Sequence, residues 1–169
     1  KSFITANNND LVGLFGNLVN RIVVFAKKNF DNSIPKGTLD KNFKDDLFKV
    51  YCEIGDNIEE GNFKYALDKV MSLVKTANKY FDTAAPWISV KQNKAKCAKD
   101  IYICIQYIAN ISNLIEPFMP YSAEKIRKIL NIENSIWMPI ELKEGKINDV
   151  EILFDRIDRK NIDEEIENL

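Results

Sequence analysis

The chain has 169 residues, of which 46% are hydrophobic and 29% charged, and its formal net charge at pH 7 is −1. This size and composition suit one well-cored domain, and no apolar run approaches the roughly 20 residues that a membrane-spanning helix needs. Histidine is absent, which excludes Ser/His/Asp triads, Cys/His dyads and mixed Cys/His zinc sites.

The N-terminus reads Lys1-Ser2-Phe3-Ile4, with neither an initiator Met nor the pattern of a secretory signal. We therefore expect a piece excised from a longer protein. The cysteines are odd in number and lack CxxC spacing, which predicts reduced, buried thiols in a cytoplasmic protein at Cys52, Cys97 and Cys104.

The first predicted helix runs from Asp10, a plausible cap, to about Phe30. Its apolar residues recur at intervals of three and four, as Leu11, Leu14, Leu18, Ile22 and Phe25. This spacing predicts one buried face. The helix is expected to stop near Asp31-Asn32-Ser33, ahead of Pro35 and Gly37.

The same three- and four-residue spacing of apolar residues occurs in two more stretches before Pro86. The first stretch begins after Thr38-Leu39-Asp40 and continues to Gly61, and the second runs from Phe63 to Phe81. So short a connection predicts two antiparallel helices. Pro86 is expected to end the second of them, because proline disfavours helical geometry in the residue before it.

Two more helices are predicted further along. One begins near Ala95 and ends before Pro117; the next is short, with Ser122 as its cap and Leu130 at its end. Facing apolar stripes on helices with short connections bury one shared core. The fold class predicted is therefore all-α, an antiparallel bundle of four to five helices with no central sheet.

The spacing of apolar residues changes in the last part of the chain. Residues 132–149 lack periodicity, whereas a terminal helix is indicated by Ile157, Ile162, Ile166 and Leu169. We expect the bundle to occupy residues 1–131. Residues 132–169 are expected to form an irregular segment and a helix that pack back on another surface.

Candidate binding residues lie at two places. Asn17 and Arg21 are one turn apart at the rim of the first apolar stripe. An amide can donate to and accept from one base edge, and a guanidinium offers a flat fork of donors that can also stack. Trp87 follows Pro86 and can present its indole to a base. Such side chains capture unpaired bases in RNA loops, so we predict RNA binding without chemistry.

Each of these features also has a purely structural interpretation. Asn17 and Arg21 can instead bond neighbouring helices, and Trp87 can be a core or cap residue. Trp137, beside Met138 and Pro139, is interpreted as a packing residue. A lysine run after Trp87 is either a basic patch for nucleic acid or a solvated helix face, and comprises Lys91, Lys94, Lys96 and Lys99.

No other constellation indicates catalysis or metal binding. The chain has six glycines and no GxxxxGK string, and its acidic pairs fall at expected exposed positions, Asp45/Asp46 and Glu59/Glu60. A later acidic group lacks the glycine turn and spacing of a calcium loop; it comprises Asp149, Glu151, Asp155 and Asp158. We therefore predict neither a catalytic residue nor a metal site.

Four strings occur in order along the chain: Gly16 to Arg21, Ala77 to Trp87, Pro117 to Ile126, and Leu153 to Ile157. In this order they resemble the C-terminal anticodon-binding domain of bacterial-type methionyl-tRNA synthetase, a class I aminoacyl-tRNA synthetase. The resemblance spans nearly the whole chain. Each string alone is weak, but the ordered combination is specific.

The resemblance implies that Asn17 and Arg21 hydrogen-bond bases of the CAU anticodon of tRNA(Met), and that Trp87 stacks on its first base. It implies a cytoplasmic parent enzyme that uses ATP and Mg²⁺ to form methionyl-adenylate and charge the tRNA. The HIGH-type and KMSKS-like signatures of the family's catalytic domain do not occur in this chain. The catalytic domain of the parent chain is thus an expected partner, and the terminal helix resembles the segment that returns toward it.

Two other interpretations stay open at this point. The first is a helical protein-interaction module that docks a partner through its terminal amphipathic helix. The second is the related helical domain of another class I synthetase, such as those for valine, isoleucine or cysteine.

Overall fold

The regular elements of the fold are all helices in the computed structural model, which describes residues 2–133 and 136–158. Within those ranges the chain forms no named strand, and its one antiparallel bridge joins Ser33 to Lys146. The all-α prediction is confirmed.

One continuous helical rod opens the fold. It comprises α1 (Ser2–Thr5), a π-helix (Ala6–Gly16) and α2 (Asn17–Asn29). The predicted start and cap at Asp10 are wrong, because Asp10 lies inside the π-helix, whose i→i+5 bonding departs from the α-helical period. The predicted stop is confirmed, since Asp31 and Asn32 take positive φ directly after the rod.

The helical pair predicted around Gly61 is present, as α3 (Lys41–Glu59) and α4 (Phe63–Ala84). Asp40 caps α3, with Oδ1 accepting a hydrogen bond from the Phe43 amide at 2.8 Å. Gly61 has a φ of 79°, in the left-handed region that suits glycine between two helices.

A short helix, α5 (Pro86–Gln92), was not predicted, because seven residues are too few to display a helical period. It leads into α6 (Lys94–Ile115), which begins one residue before the predicted start. Asn93 caps α6 by accepting a hydrogen bond from the Lys96 amide at 3.0 Å.

The next helix, α7, spans Pro120–Leu130. The cap role predicted for Ser122 is wrong. Proline at the first helical position starts α7 two residues earlier, so Ser122 lies inside the helix and is buried.

The core surrounds α6, whose buried residues cover most of its circumference. Cys97 and Cys104 on α6 are buried as predicted, but the prediction is wrong for Cys52, which is exposed. The buried residues of α3 are Leu47, Tyr51 and Ile54, which lie along one line of the helix. Cys52 follows Tyr51 by one position and therefore leaves that line.

Three amide side chains of α6 hold the aperiodic segment 136–142. Gln106 donates to the Leu142 carbonyl at 2.9 Å and accepts from its amide at 2.7 Å. Asn110 pairs with Ile140 in the same way, at 2.9 Å in both directions. Asn113 donates to the Ile136 carbonyl at 3.1 Å. The segment thus obtains its backbone hydrogen bonds from side chains rather than from a sheet.

The chain continues along the bundle to Asp158. Ile147 donates to the Asn32 carbonyl at 2.8 Å, beside the bridge of Ser33 to Lys146. Ile157 is not helical, and the rest of the predicted terminal helix lies outside the described residues. The boundary between residues 131 and 132 stays a prediction. No helix in the described ranges is both long and apolar enough to cross a bilayer.

Candidate nucleic-acid interface

The two polar candidates on α2 lie on its outer side. Leu18, Val19 and Ile22 are fully buried, whereas Asn17 is exposed and Arg21 is half-buried. The apolar residues therefore orient α2 on the bundle. Asn17 and Arg21 are left one turn apart at the rim of the buried face.

Arg21 is held by two residues of α4. Its Nη2 donates to Asp82 Oδ1 at 2.6 Å, and its Cζ lies 4.7 Å from the centre of the Phe81 ring. Without RNA, Arg21 thus bonds a neighbouring helix, as the purely structural interpretation of this residue predicted. Both partners of the ion pair are partly exposed, so we expect it to contribute about 1 kcal/mol or less to stability.

Trp87 contacts the same phenylalanine. Its ring centre is 6.0 Å from that of Phe81 at an interplanar angle of 56°, and 47% of the residue is exposed. Phe25 of α2 meets Phe81 edge-on at 6.4 Å. The structure therefore brings Arg21 and Trp87 together around one ring. Phe81 itself was predicted only as a core position.

The backbone before Trp87 is unusual. Ala85 takes a left-handed conformation, with φ 42° and ψ 59°, between α4 and α5. The following Pro86 is buried, and its carbonyl oxygen lies 3.7 Å from the thiol of Cys97. Burial raises the pKa of the Cys97 thiol, which keeps it protonated as a donor. The turn at Ala85 thus redirects the chain so that Trp87 lies over Phe81.

The strain at Ala85 gives a testable stability prediction. Ala85→Gly is expected to raise the free energy of unfolding by roughly 0.5–1 kcal/mol, because glycine adopts this conformation without the penalty of a Cβ. Ala84→Gly is the matched control. It places glycine at a helical position and should lower the free energy by roughly 0.5–1 kcal/mol. Urea unfolding followed by circular dichroism measures both, and a loss in both variants would contradict the strain.

The lysines after Trp87 are all exposed. Lys96 pairs with Asp100 at 2.8 Å, and Lys94 Nζ lies 6.0 Å from the centre of the Phe30 ring. Part of this run is thus engaged within the protein. Its charges nevertheless surround the α5–α6 junction, on the same stretch of chain as Trp87.

Asn17 also borders a groove. The groove has a volume of about 370 Å³ and lies between the start of α2 and residues 150–154. Asn20 lines it too. Asn17 thus lines this groove and lies one turn of α2 before Arg21.

Three comparisons with known proteins agree on one family. The family model described as the anticodon binding domain of methionyl tRNA ligase matches residues 32–167. Trp87 lies within the matched range, whereas Asn17 and Arg21 precede it.

Whole-chain relatives extend the similarity to the N-terminal rod. The methionine--tRNA ligase of Bacillus cereus (strain G9842) is 42% identical over 169 residues, covering all of this chain and 31% of that protein. Methionine--tRNA ligase 1 of Alkaliphilus oremlandii is 41% identical over 170 residues, covering all of this chain and 32% of that protein. The chain thus spans about a third of the length of these curated relatives.

Solved structures agree on the fold. The apo crystal structure of Mycobacterium tuberculosis methionyl-tRNA synthetase superposes with a TM-score of 0.82 at 24% identity, over 92% of this chain and 34% of that one. The structure of that enzyme bound by methionyl-adenylate gives a TM-score of 0.79 at 21% identity, over 91% and 33%. At these identities the likeness shows the shared helical fold.

Proposed function

Because the chain belongs to the family of methionyl-tRNA ligase anticodon-binding domains, we propose that it reads the CAU anticodon of tRNA(Met) for a longer ligase. The observation that carries the proposal is the cluster of Arg21, Phe81 and Trp87. There a guanidinium and a half-exposed indole flank one buried ring. Such a surface offers both stacking and hydrogen bonding to an unpaired base.

In this proposal Trp87 stacks on the first anticodon base, cytosine, and Asn17 and Arg21 hydrogen-bond base edges. Other bases are rejected because they leave polar groups of the site without hydrogen-bond partners. A polar group that a wrong base leaves buried without a partner costs about 1–3 kcal/mol. Phe81 contacts the indole at a tilt of 56°, and the exposed part of Trp87 is the part that we assign to the base.

Arg21 is pre-oriented for this role. Its ion pair with Asp82 uses Nη2, and its plane rests over Phe81, so the side chain is already ordered before RNA arrives. Ordering in the free protein lowers the entropy cost of binding. The remaining guanidinium N–H groups are the donors that we assign to the RNA.

The chemistry of aminoacylation belongs elsewhere in the proposed parent. We assign ATP and Mg²⁺ to the catalytic domain of the parent chain, which is the second proposed partner, and we place the enzyme in the cytoplasm. This chain contributes recognition of the tRNA. No catalytic residue is assigned to it.

Fluorescence anisotropy of labelled anticodon stem-loops tests the proposal. At fixed low salt the 169-residue chain should bind a CAU loop more tightly than one with a changed first base. Arg21→Lys keeps the charge but loses the planar fork, and should reduce this preference roughly tenfold. Lys28→Arg, at an exposed position of the same helix, is the control and should leave it unchanged.

Equal binding of both loops, or none, contradicts anticodon reading by this chain. It is the result expected of a helical protein-interaction module. A preference for an anticodon of valine, isoleucine or cysteine would contradict the assignment to methionine.

A further inference from the structure

The short helix that carries Trp87 contacts α6 through a buried cysteine. Cys97, in the first turn of α6, is fully buried, and its thiol sulfur lies 3.7 Å from the carbonyl oxygen of Pro86. Ser89, further along α5, is buried as well. We propose that Cys97 is a positioning residue, which holds α5 on either side of Trp87 and so fixes the indole for the base that stacks on it. This inference rests on the proposed function.

The first point of attachment is Pro86, the residue directly before Trp87. Pro86 has no N–H group, and its carbonyl oxygen belongs to the peptide group that joins it to Trp87. The Cys97 thiol donates to that oxygen. Because burial raises the pKa of Cys97, the hydrogen that this contact needs stays on the sulfur at neutral pH. The thiol therefore holds the peptide group on which the indole depends.

The second point of attachment is Ser89, two residues after Trp87. Its Oγ is buried and has no oxygen or nitrogen partner among the residues that the structure describes. Burial raises the pKa of the Cys97 thiol, and the Ser89 hydroxyl lowers it in part, which is the effect of a hydroxyl that donates to sulfur. A sulfur can accept weakly while its own hydrogen is donated. Cys97 can thus hold Ser89 and Pro86 at once.

Backbone hydrogen bonds connect the same three turns of chain. The Asn93 amide donates to the Ser89 carbonyl at 2.8 Å, and the Cys97 amide donates to the Asn93 carbonyl at 3.0 Å. Asn93 therefore joins α5 directly to α6. A helix of seven residues, such as α5, has little stability of its own in water, so its position depends on contacts with the rest of the fold.

Trp87 depends on this support because its own packing is incomplete. The residue is 47% exposed, and its ring meets that of Phe81 at a tilt of 56° rather than in a parallel stack. The staggered orientations that are open to a side chain depend on the φ and ψ of its backbone. An indole that spread evenly over three such orientations, of which one accepts the base, would bind roughly threefold more weakly.

Tryptophan fluorescence tests the positioning role without RNA. Trp137→Phe leaves Trp87 as the only tryptophan, since the chain contains two. In this background Cys97→Ala should raise the acrylamide quenching constant of Trp87, because a less restrained indole meets the solvent more often. Cys104→Ala is the matched control. Cys104 is equally buried on α6, seven residues further along, and should leave the quenching unchanged.

Binding of the CAU stem-loop tests the consequence for recognition. Cys97→Ala should weaken binding roughly threefold, whereas Cys104→Ala should not. Cys97→Ser keeps both a donor and an acceptor and should restore most of the loss. In a chain that already carries Trp87→Ala, Cys97→Ala should have no further effect, because the proposed role acts through the indole.

Ser89→Ala provides an independent arm that changes the packing volume very little. It should raise the quenching of Trp87 in the same direction as Cys97→Ala. Ser122→Ala is its control, because Ser122 is 8% exposed on α7 and Ser89 is 7% exposed on α5. Ser122→Ala should leave the quenching unchanged. Circular dichroism of each variant confirms that the bundle is folded.

The outcomes separate the two proposals. If Cys97→Ala and Ser89→Ala quench like their controls, or if Cys97→Ala weakens binding equally with and without Trp87, the positioning role is overturned and the proposed function stands. If the wild-type chain shows no preference for the CAU loop, the proposed function fails and the role of Cys97 in recognition falls with it.

Discussion

Trp87→Ala is expected to weaken binding of the CAU stem-loop roughly tenfold to a hundredfold, because stacking on an aromatic side chain contributes about 1–3 kcal/mol per base. Trp87 is 47% exposed, so part of the indole is available to a base while the ring contacts Phe81 at an interplanar angle of 56°. Anisotropy titrations at fixed salt measure the loss. Trp87→Phe, which keeps an aromatic face, should lose less.

Trp137 makes a close control for that experiment. It is 42% exposed and meets Tyr51 edge-on at 5.7 Å, against α3. It is thus a partly exposed packing residue of the aperiodic segment 136–142, away from α5. Trp137→Ala removes an indole of similar exposure and should leave RNA binding unchanged. A Trp87→Ala variant that binds as tightly as wild type would remove stacking from the proposed function.

Gly37→Ala is expected to destabilise the fold by roughly 2–3 kcal/mol through overpacking. A Cβ on Gly37 would lie 2.3 Å from Cγ of Tyr102, a residue fully buried on α6. The chain between α2 and α3 therefore passes directly against that ring. The tyrosine ring is fully buried and cannot move aside freely. Thermal unfolding followed by circular dichroism should show a decrease in Tm of about 5–10 °C.

Gly61→Ala distinguishes steric conflict from backbone strain. Nothing lies within 4 Å of a Cβ at Gly61, but its φ is 79°. Only the left-handed conformation is penalised there, at about 1 kcal/mol. Gly37→Ala should thus be clearly the less stable variant. Equal stability of the two would show that the loop moves away from Tyr102.

The long helices were predictable because their burial follows a regular period. In α4 the buried residues Val70, Val74, Ala77 and Phe81 recur every three or four positions, as the sequence does. The π-helix is different, because i→i+5 bonding changes the period without changing residue types. Asp10 therefore resembled a cap although it lies inside the rod.

The site was only partly predictable, for a related reason. Polarity and spacing indicated Asn17 and Arg21, and Pro86 indicated that Trp87 starts a new segment. That Arg21 and Trp87 both contact Phe81 depends on how α2, α4 and α5 pack. The left-handed Ala85 has no sequence signal, since alanine rarely takes that conformation. Segment 150–154 belongs to no helix, so no period indicated that Val150, Leu153 and Phe154 pack against the core.

Segment 136–142 is held differently, through its backbone, by the side chains of Gln106, Asn110 and Asn113. These amides bond the backbone of residues 136–142, and every amino acid except proline supplies the same N–H and C=O groups. Substitutions in the segment and substitutions of these α6 side chains are therefore expected to have unequal effects. Residues of the segment can be exchanged during evolution with little loss of register. Losing Asn110 or Gln106 of α6 instead leaves two partly buried backbone groups unpaired, at Ile140 or Leu142.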